Sequence, residues 1–252
     1  RGCNFTKTIR FESFFDRSHL SLKQIVLIVY LWSTNAVLKR IAREVRCNHT
    51  STITDLVSFC RDVCRVWVDN NAVQLGGLDE NTLIPKIVEI DETNYFSQKY
   101  NRGRRSDSKW VFGGIERGNP RNMFMECVRR RDIPTLLPII EEKIAPGSII
   151  STDGWATNRG IEDMPQAYGH FVELHNRRQF ANPQNCDAHT QNIEGLWSQA
   201  KRKIKYMRGT SRGLFLSYIR EFEWRWRNDT YRRDGNTFVK FLVTVSEQYP
   251  FD

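Results

Sequence analysis

The sequence predicts two modules: a small all-α module, then a mixed α/β sheet flanked by helices. Three observations carry this. Apolar residues recur at helical spacing from Leu20 to about Asn70. The Gly- and Asn-rich stretch NNAVQLGGLDENTLIP then ends in proline and reads as a linker. Beyond it, short β-patterned runs alternate with helical ones. With 252 residues and 40% hydrophobic content, the chain suffices for one large core or two smaller ones. The boundaries read as 1–19, the remnant of an upstream segment; 20–70, the helical module; 71–85, the linker; and 86–252, the sheet domain with its C-terminal helices.

In the first module, LSLKQIVLIVYLWS predicts one helix. Ser33 and Thr34 are expected to cap a second, NAVLKRIAREV, whose Val37, Ile41 and Val45 share a face. A third follows in NHTSTITDLVSFCRDVCRVWVDN. Asn48, Thr50 or Ser51 can start it, and Leu56, Phe59, Val63 and Val66 or Trp67 form its stripe. A short helix, a tight polar turn and a longer helix read as a helix-turn-helix, a pattern that any three-helix bundle shares.

In the second module, KIVEIDETNYF is a strand with an acidic residue at its exit, followed by the basic loop QKYNRGRRSDSK. WVFGGIER and NMFMECVRR are two further strands joined at Gly118, Asn119 and Pro120. IPTLLPIIEEKI is a helix with Asp132 as its cap and Pro134 in its first turn. SIISTDGW is a strand ending in an aspartate; a short polar helix, the strand HFVELHN and two long helices complete the order. Three consecutive strands, then helix, strand, helix, strand, helix make the order of an RNase H-like fold with a mixed sheet.

The formal net charge of +9 suits a polyanionic partner, because each Lys or Arg set on a phosphate releases counterions; an anionic membrane surface or solubility alone explains it equally. The six cysteines contain no C-x-x-C pair, and Cys60 and Cys64, one helical turn apart, read as packing. No apolar run approaches the roughly 20 residues that span a bilayer. No targeting signal stands out, so the expected location is the nucleus in a eukaryote, or the nucleoid and cytoplasm. The chain opens at Arg1 without a methionine, so an upstream piece is expected.

Three acidic residues stand out by position. Asp91 ends the first strand of the sheet domain, Asp153 ends the fourth, and Glu194 opens a late helix. In the expected topology the first and fourth strands are neighbours and the helix covers their edge. Three hard oxygen donors converging there suit two Mg²⁺ (or Mn²⁺) ions, which can activate a water or a 3′-hydroxyl against a phosphodiester. Carboxylates are also ordinary at strand ends and helix starts. Glu89, Glu92, Glu162, Asp163 and Asp187 compete for the role, and Glu89 shares the strand parity of Asp91.

The stretches IRFESFFDRSHLSLKQI, IVEIDETNY, KYNRGR, WVFGGIERG, LLPIIEEKIAPGSIISTDGW and HTQNIEGLWSQAKRKIK resemble the Merlin superfamily of DNA transposons and their bacterial insertion-sequence relatives, over residues from about 10 to 228. The resemblance implies a DDE transposase with an RNase H-like domain, whose catalytic aspartates match Asp91 and Asp153 and whose glutamate matches Glu194. Relatives of this kind often carry a zinc ribbon ahead of the helix-turn-helix, and Cys3 alone cannot hold zinc.

Basic residues fit the same expectation. Lys201 and Lys205, seven and eleven residues beyond Glu194, return to its helical face, and Arg202, Lys203 and Arg208 widen the patch. Arg102, Arg104 and Arg105, with Asn101, form a second cluster. His189 is a candidate contact to the scissile phosphate or a helix cap. Trp155, Trp197, Trp224 and Trp226 read as core or interface rather than base-stacking platforms. The expected function is a cut-and-paste transposase that binds terminal inverted repeats, cleaves at them, joins the 3′-hydroxyl to target DNA, and works as a homodimer or higher oligomer. The alternatives are a domesticated DNA-binding regulator without catalysis and a nuclease that cuts without joining.

Overall fold

The computed structural model describes residues 10–16, 18–47, 50–96, 109–153, 160–172, 190–207, 210–211, 213–230 and 236–250. The chain forms two compact units, one of Arg1–Asn71 with Arg220–Asp252 and one of Ala72–Ile219.

In the first unit, α1 (Leu22–Ser33), α2 (Leu38–Val45) and α3 (Thr50–Asn70) pack on one another. A capping box starts α1: the Gln24 amide donates to Ser21 Oγ at 3.2 Å, and the Ser21 amide donates to Gln24 Oε1 at 3.0 Å. The predicted caps of α2 turn out to close α1 instead. Ser33 is its last residue, and Thr34, its C-cap, donates its hydroxyl back to Leu31 O at 2.8 Å. Val37 stands at the N-cap of α2 with no side-chain bond, so the entry to α2 is set by packing rather than by a hydroxyl.

The C-terminal stretch, which the sequence groups with the sheet domain, packs in this first unit. Here α6 (Phe215–Arg227) carries Trp224 and Arg225, and α7 (Thr237–Gln248) lies against α1 and α3. Trp224 and Phe241, both fully buried, join Ile25, Ile28, Trp32 and Ile53 in one core. The Trp32 and Phe241 rings meet at 4.7 Å, edge to face. Arg225 is buried beside them. It pairs with Glu221 at 2.9 Å and donates to the carbonyls of Ser33 and Trp32 at 3.0 and 3.1 Å, a cation at the end of α1. Cys60 and Cys64 are buried free thiols, consistent with packing, and burial pushes the Cys60 thiol up.

In the second unit, β2 (Ile87–Asn94), β3 (Trp110–Glu116), β4 (Met123–Val128), β6 (Ile149–Thr152) and β7 (Gly169–Val172) form one sheet in the order β4-β3-β2-β6-β7. The first three run antiparallel in a meander, and β6 and β7 are parallel to β2. Gly118, at φ 86°, turns the chain between β3 and β4 where an L side chain would be strained. Alternation along β2 divides its two faces. Val88 and Ile90 enter an apolar core with Leu136 and Ile140 of α4 (Ile133–Lys143), while α5 (Gln191–Tyr206) packs on β2 and β3. Asp132 is the N-cap of α4 with Pro134 in the first turn, as the sequence predicts, but its carboxylate takes the Thr135 hydroxyl rather than a backbone amide.

The stretch read as a linker is partly structured. Its β1 (Leu75–Gly76) pairs in parallel with β5 (Ile144–Ala145), and Leu75 is fully buried. A Cβ on Gly76 would stand 2.2 Å from Ser148 Oγ, so this backbone seats tightly against the sheet unit. Among the described residues, no helix is long and apolar enough to cross a membrane.

Candidate active site at the carboxyl edge of the sheet

The parallel pairing of β2 with β6 builds the site. Glu89 lies opposite Ser151 in this ladder. Two residues further on come Asp91, inside β2 and on the face of Glu89, and Asp153, immediately past the last residue of β6, so both stand at the same end of the paired strands. Both line a shallow cleft with Ile90, Glu92, Phe112 and Leu136. The two aspartates that the sequence selects, separated by β3, β4 and α4 in the chain, are thus brought together.

Asp91 is held from two sides. The Glu92 amide donates to its Oδ1 at 2.7 Å, and the Trp197 indole Nε1–H donates to Oδ2 at 2.9 Å. Burial, above all, pushes the Asp91 carboxyl up to about 6; the negative charge of Asp153 adds to this and Glu194 adds a smaller push. The Glu92 and Trp197 donors pull in the opposite direction without cancelling it. Glu194, in the first turn of α5 and exposed, therefore acts on Asp91 through its charge.

Trp197 is core, as its type suggests, and also holds Asp91. It is 5% exposed and its ring lies over Gly113 of β3, the residue paired with Asp91. A Cβ at Gly113 would stand 2.6 Å from the ring and 3.0 Å from Phe124 O, so only glycine leaves room for it. The spacing of Trp197 on the helix gives no sign of this role, which depends on the β2–β3 register.

Glu89 resolves the competition left open by strand parity. It is 0% exposed and fully engaged. Arg117 donates to Oε1 through Nε at 3.0 Å and through a second guanidinium nitrogen at 2.9 Å. The backbone amides of Asn192 and Ile193 donate to Oε2 at 2.9 and 3.1 Å, and the Asn192 side chain donates to Oε1 at 2.8 Å. Glu89 thus caps α5, whose own N-cap, Thr190, makes no side-chain cap bond.

The remaining candidates divide. Lys201 shares the site: its ammonium lies 5.7 Å from the Tyr95 ring centroid, desolvation pulls its pKa down, and the Asp91 carboxylate opposes that pull. Arg202 and Lys205 occupy exposed positions of α5. Arg102, Arg104, Arg105 and His189 lie outside the described residues, as do Asn101, Arg208, Trp155 and Asp187. Glu162 turns away to His170, whose ring is 3% exposed and bonds Thr152 Oγ1 at 3.0 Å and Glu162 at 3.2 Å. His170 thereby holds the strand just ahead of Asp153, a role the sequence reading does not foresee.

Among the described residues, no three His, Cys, Asp or Glu side chains close a metal cage. What the site offers is a pair of neighbouring carboxylates, one with a raised pKa, and a third whose charge reaches it. Such a set is stabilised by a hard divalent cation, which takes oxygen ligands and favours the charged form. The donor chemistry fits Mg²⁺ or Mn²⁺.

A mixed sheet with two aspartates at one cleft and a Lys/Arg-bearing helix packed on it defines the class, an α/β domain with a cluster of carboxylates beside basic residues. The comparisons name the family within that class. Residues 85–227 match the ISXO2-like transposase domain, and the chain belongs to that family. An uncharacterized transposase-like protein of Haemophilus influenzae is 34% identical over 94 residues, which cover 37% of this chain and 72% of that protein. The crystal structure of a pre-cleavage Mos1 transpososome aligns with 94% of this chain and 83% of its own, at 7% identity and a TM-score of 0.27, too weak a likeness to carry an argument.

Proposed function

We propose that this transposase cuts and joins DNA in a cut-and-paste reaction at Asp91, Asp153 and Glu194. The observation that carries the reading is the parallel pairing of β2 with β6, which brings Asp91 and Asp153 to line one cleft, with Glu194 in the first turn of the helix packed on β2. The RNase H-like reading of the fold is supported by the sheet order, in which the first and fourth long strands are parallel neighbours. Membership of the Merlin superfamily and its insertion-sequence relatives rests on the sequence motifs around the three acids.

In this reading the three carboxylates hold two Mg²⁺ or Mn²⁺ ions. When bound, these supply an activated water or 3′-hydroxyl and stabilise the leaving oxygen of the phosphodiester. The chain's own residues set the geometry. Trp197 and the Glu92 amide fix the two Asp91 oxygens, so the carboxylate meets its ligand in one orientation. Lys201 lies within electrostatic reach of Asp91, placed to take a phosphate oxygen of the strand entering the edge. Lys205, Arg202 and the cluster at Arg102, Arg104 and Arg105 extend backbone contact, and His189 stands five residues ahead of Glu194. The packed α1–α3 bundle is the proposed helix-turn-helix that reads the terminal inverted repeats, and cutting two ends calls for a homodimer or larger assembly.

The test is incubation of the protein with labelled duplexes carrying the element's terminal repeats, with Mg²⁺ and target DNA. Cleavage followed by joined products supports the proposal. Cleavage without joining assigns a nuclease, and binding without products assigns a DNA-binding regulator.

A further inference from the structure

Glu89 is neither solvated nor aimed at the cleft, and its environment is unusually complete for a carboxylate. Its two oxygens receive donors from the Arg117 guanidinium, from the Asn192 amide and side chain, and from the Ile193 amide. The two backbone amides belong to the first turn of α5, whose unpaired N–H groups carry the positive end of the helix dipole. A carboxylate there satisfies two orphan donors and meets favourable charge, and Arg117 offsets the burial of the anion. The cap is supplied from a strand some hundred residues earlier rather than by the residue preceding the helix. It therefore links two elements instead of merely ending one.

The position of this link matters. Glu89 stands two residues before Asp91 on the same face of β2, while Asn192 and Ile193 stand immediately before Glu194 on α5. The link thus connects the strand that carries one proposed metal ligand to the helix turn that carries another. Trp197, donating to Asp91 one turn further along α5, makes a second link between the same two elements. We propose that Glu89 is a positioning residue, which sets α5 on β2 so that Glu194 and Asp91 are held at the spacing that metal binding requires. This rests on the proposed metal site at Asp91, Asp153 and Glu194.

Glu89→Gln tests it. Glutamine keeps the length and one acceptor oxygen, but turns an NH₂ towards donors that the carboxylate satisfied. Mn²⁺ binding to the full chain, read by electron paramagnetic resonance, is compared for wild type, Glu89→Gln and Asp91→Asn, with amide hydrogen exchange at Asn192 and Ile193. Asn192→Ala, which removes one side-chain donor and leaves the backbone cap, serves as the milder variant should Glu89→Gln fold poorly. The expected result is faster exchange at both amides in Glu89→Gln and Mn²⁺ affinity lowered roughly tenfold, the usual effect of losing an outer partner of a ligand. Asn192→Ala shifts affinity in the same direction by less, and Asp91→Asn loses the high-affinity site. Faster exchange with unchanged Mn²⁺ affinity would reduce Glu89 to a helix cap and overturn the proposal. Complete loss of binding in Glu89→Gln, equal to that of Asp91→Asn, would make it a ligand and overturn it too. A wild type that binds no Mn²⁺ would instead refute the metal site itself, and with it this role.

Discussion

At the residue scale, the burial of Asp91 sets the terms. An acid whose folded pKa, about 6, exceeds its unfolded value of 3.8 holds its proton more tightly in the native state. The sign follows directly. In metal-free protein its contribution is fully favourable below about pH 4 and is lost as pH rises through about 6. At neutral pH the ionised carboxylate is a burden of roughly 3 kcal/mol, before the loss of a hydrogen bond on substitution is subtracted. Asp91→Asn is therefore expected to raise the melting temperature of metal-free protein at pH 7 and to lose that advantage at pH 4. Melting curves at the two pH values check it, and a variant less stable at pH 7 would contradict the assignment. Asp153 was legible in the sequence because it follows the last residue of an apolar strand; Asp91 was selected on the same signal, but β2 runs on past it to Asn94, so the expected strand end lay three residues too early. The work of Glu89 was not legible. Parity puts it on the Asp91 face, but only the packing of α5 shows that its carboxylate is consumed by backbone amides.

At the scale of elements, the β2–β3 register and the face of α5 carry the argument. Gly113 faces Asp91 across the ladder and leaves the space that the Trp197 ring fills. Gly113→Ala would force the ring away, and with it the indole that holds Asp91. The expected cost is roughly 1–3 kcal/mol, as for other overpacked sites, read as a lowered melting temperature. Unchanged stability would mean that the ring has room the geometry denies. On the same helix, Lys201 and Lys205 share the side of Glu194. A Lys201→Ala/Lys205→Ala variant is expected to bind all duplexes more weakly, because phosphate contacts carry no base information. The slope of log affinity against log salt should shrink by up to about 1.8, at roughly 0.9 per contact. A fixed slope with a lower melting temperature would assign these lysines to internal pairing instead. Strand and helix identities were legible here because periodicity records them. The cap of α2 was not, since Ser33 and Thr34 bond backwards into α1.

For the whole molecule, the order of the long strands and helices was legible, while the destination of the C-terminal stretch was not. Sequence order suggests that helices following a domain belong to it. Yet Trp224 and Phe241 bury themselves among residues from the first 70, and no local pattern reports which core an apolar face will join. Phe241→Ala is accordingly expected to cost about 3–5 kcal/mol in the N-terminal unit. Its melting, followed through that unit's tryptophans, should fall sharply, and a negligible change would detach the C-terminal helix from that core. The family match covers residues 85–227, and in the proposed reading the chemistry depends on the three acids acting as one site. The most direct measurement is Mg²⁺-dependent cleavage of terminal-repeat DNA by wild type beside Asp91→Asn, Asp153→Asn and Glu194→Gln, with DNA binding measured on the same samples. The expected result is cleavage by wild type alone, with binding retained by all four proteins. Near-normal cleavage by any one variant would remove that residue from the site and contradict the account.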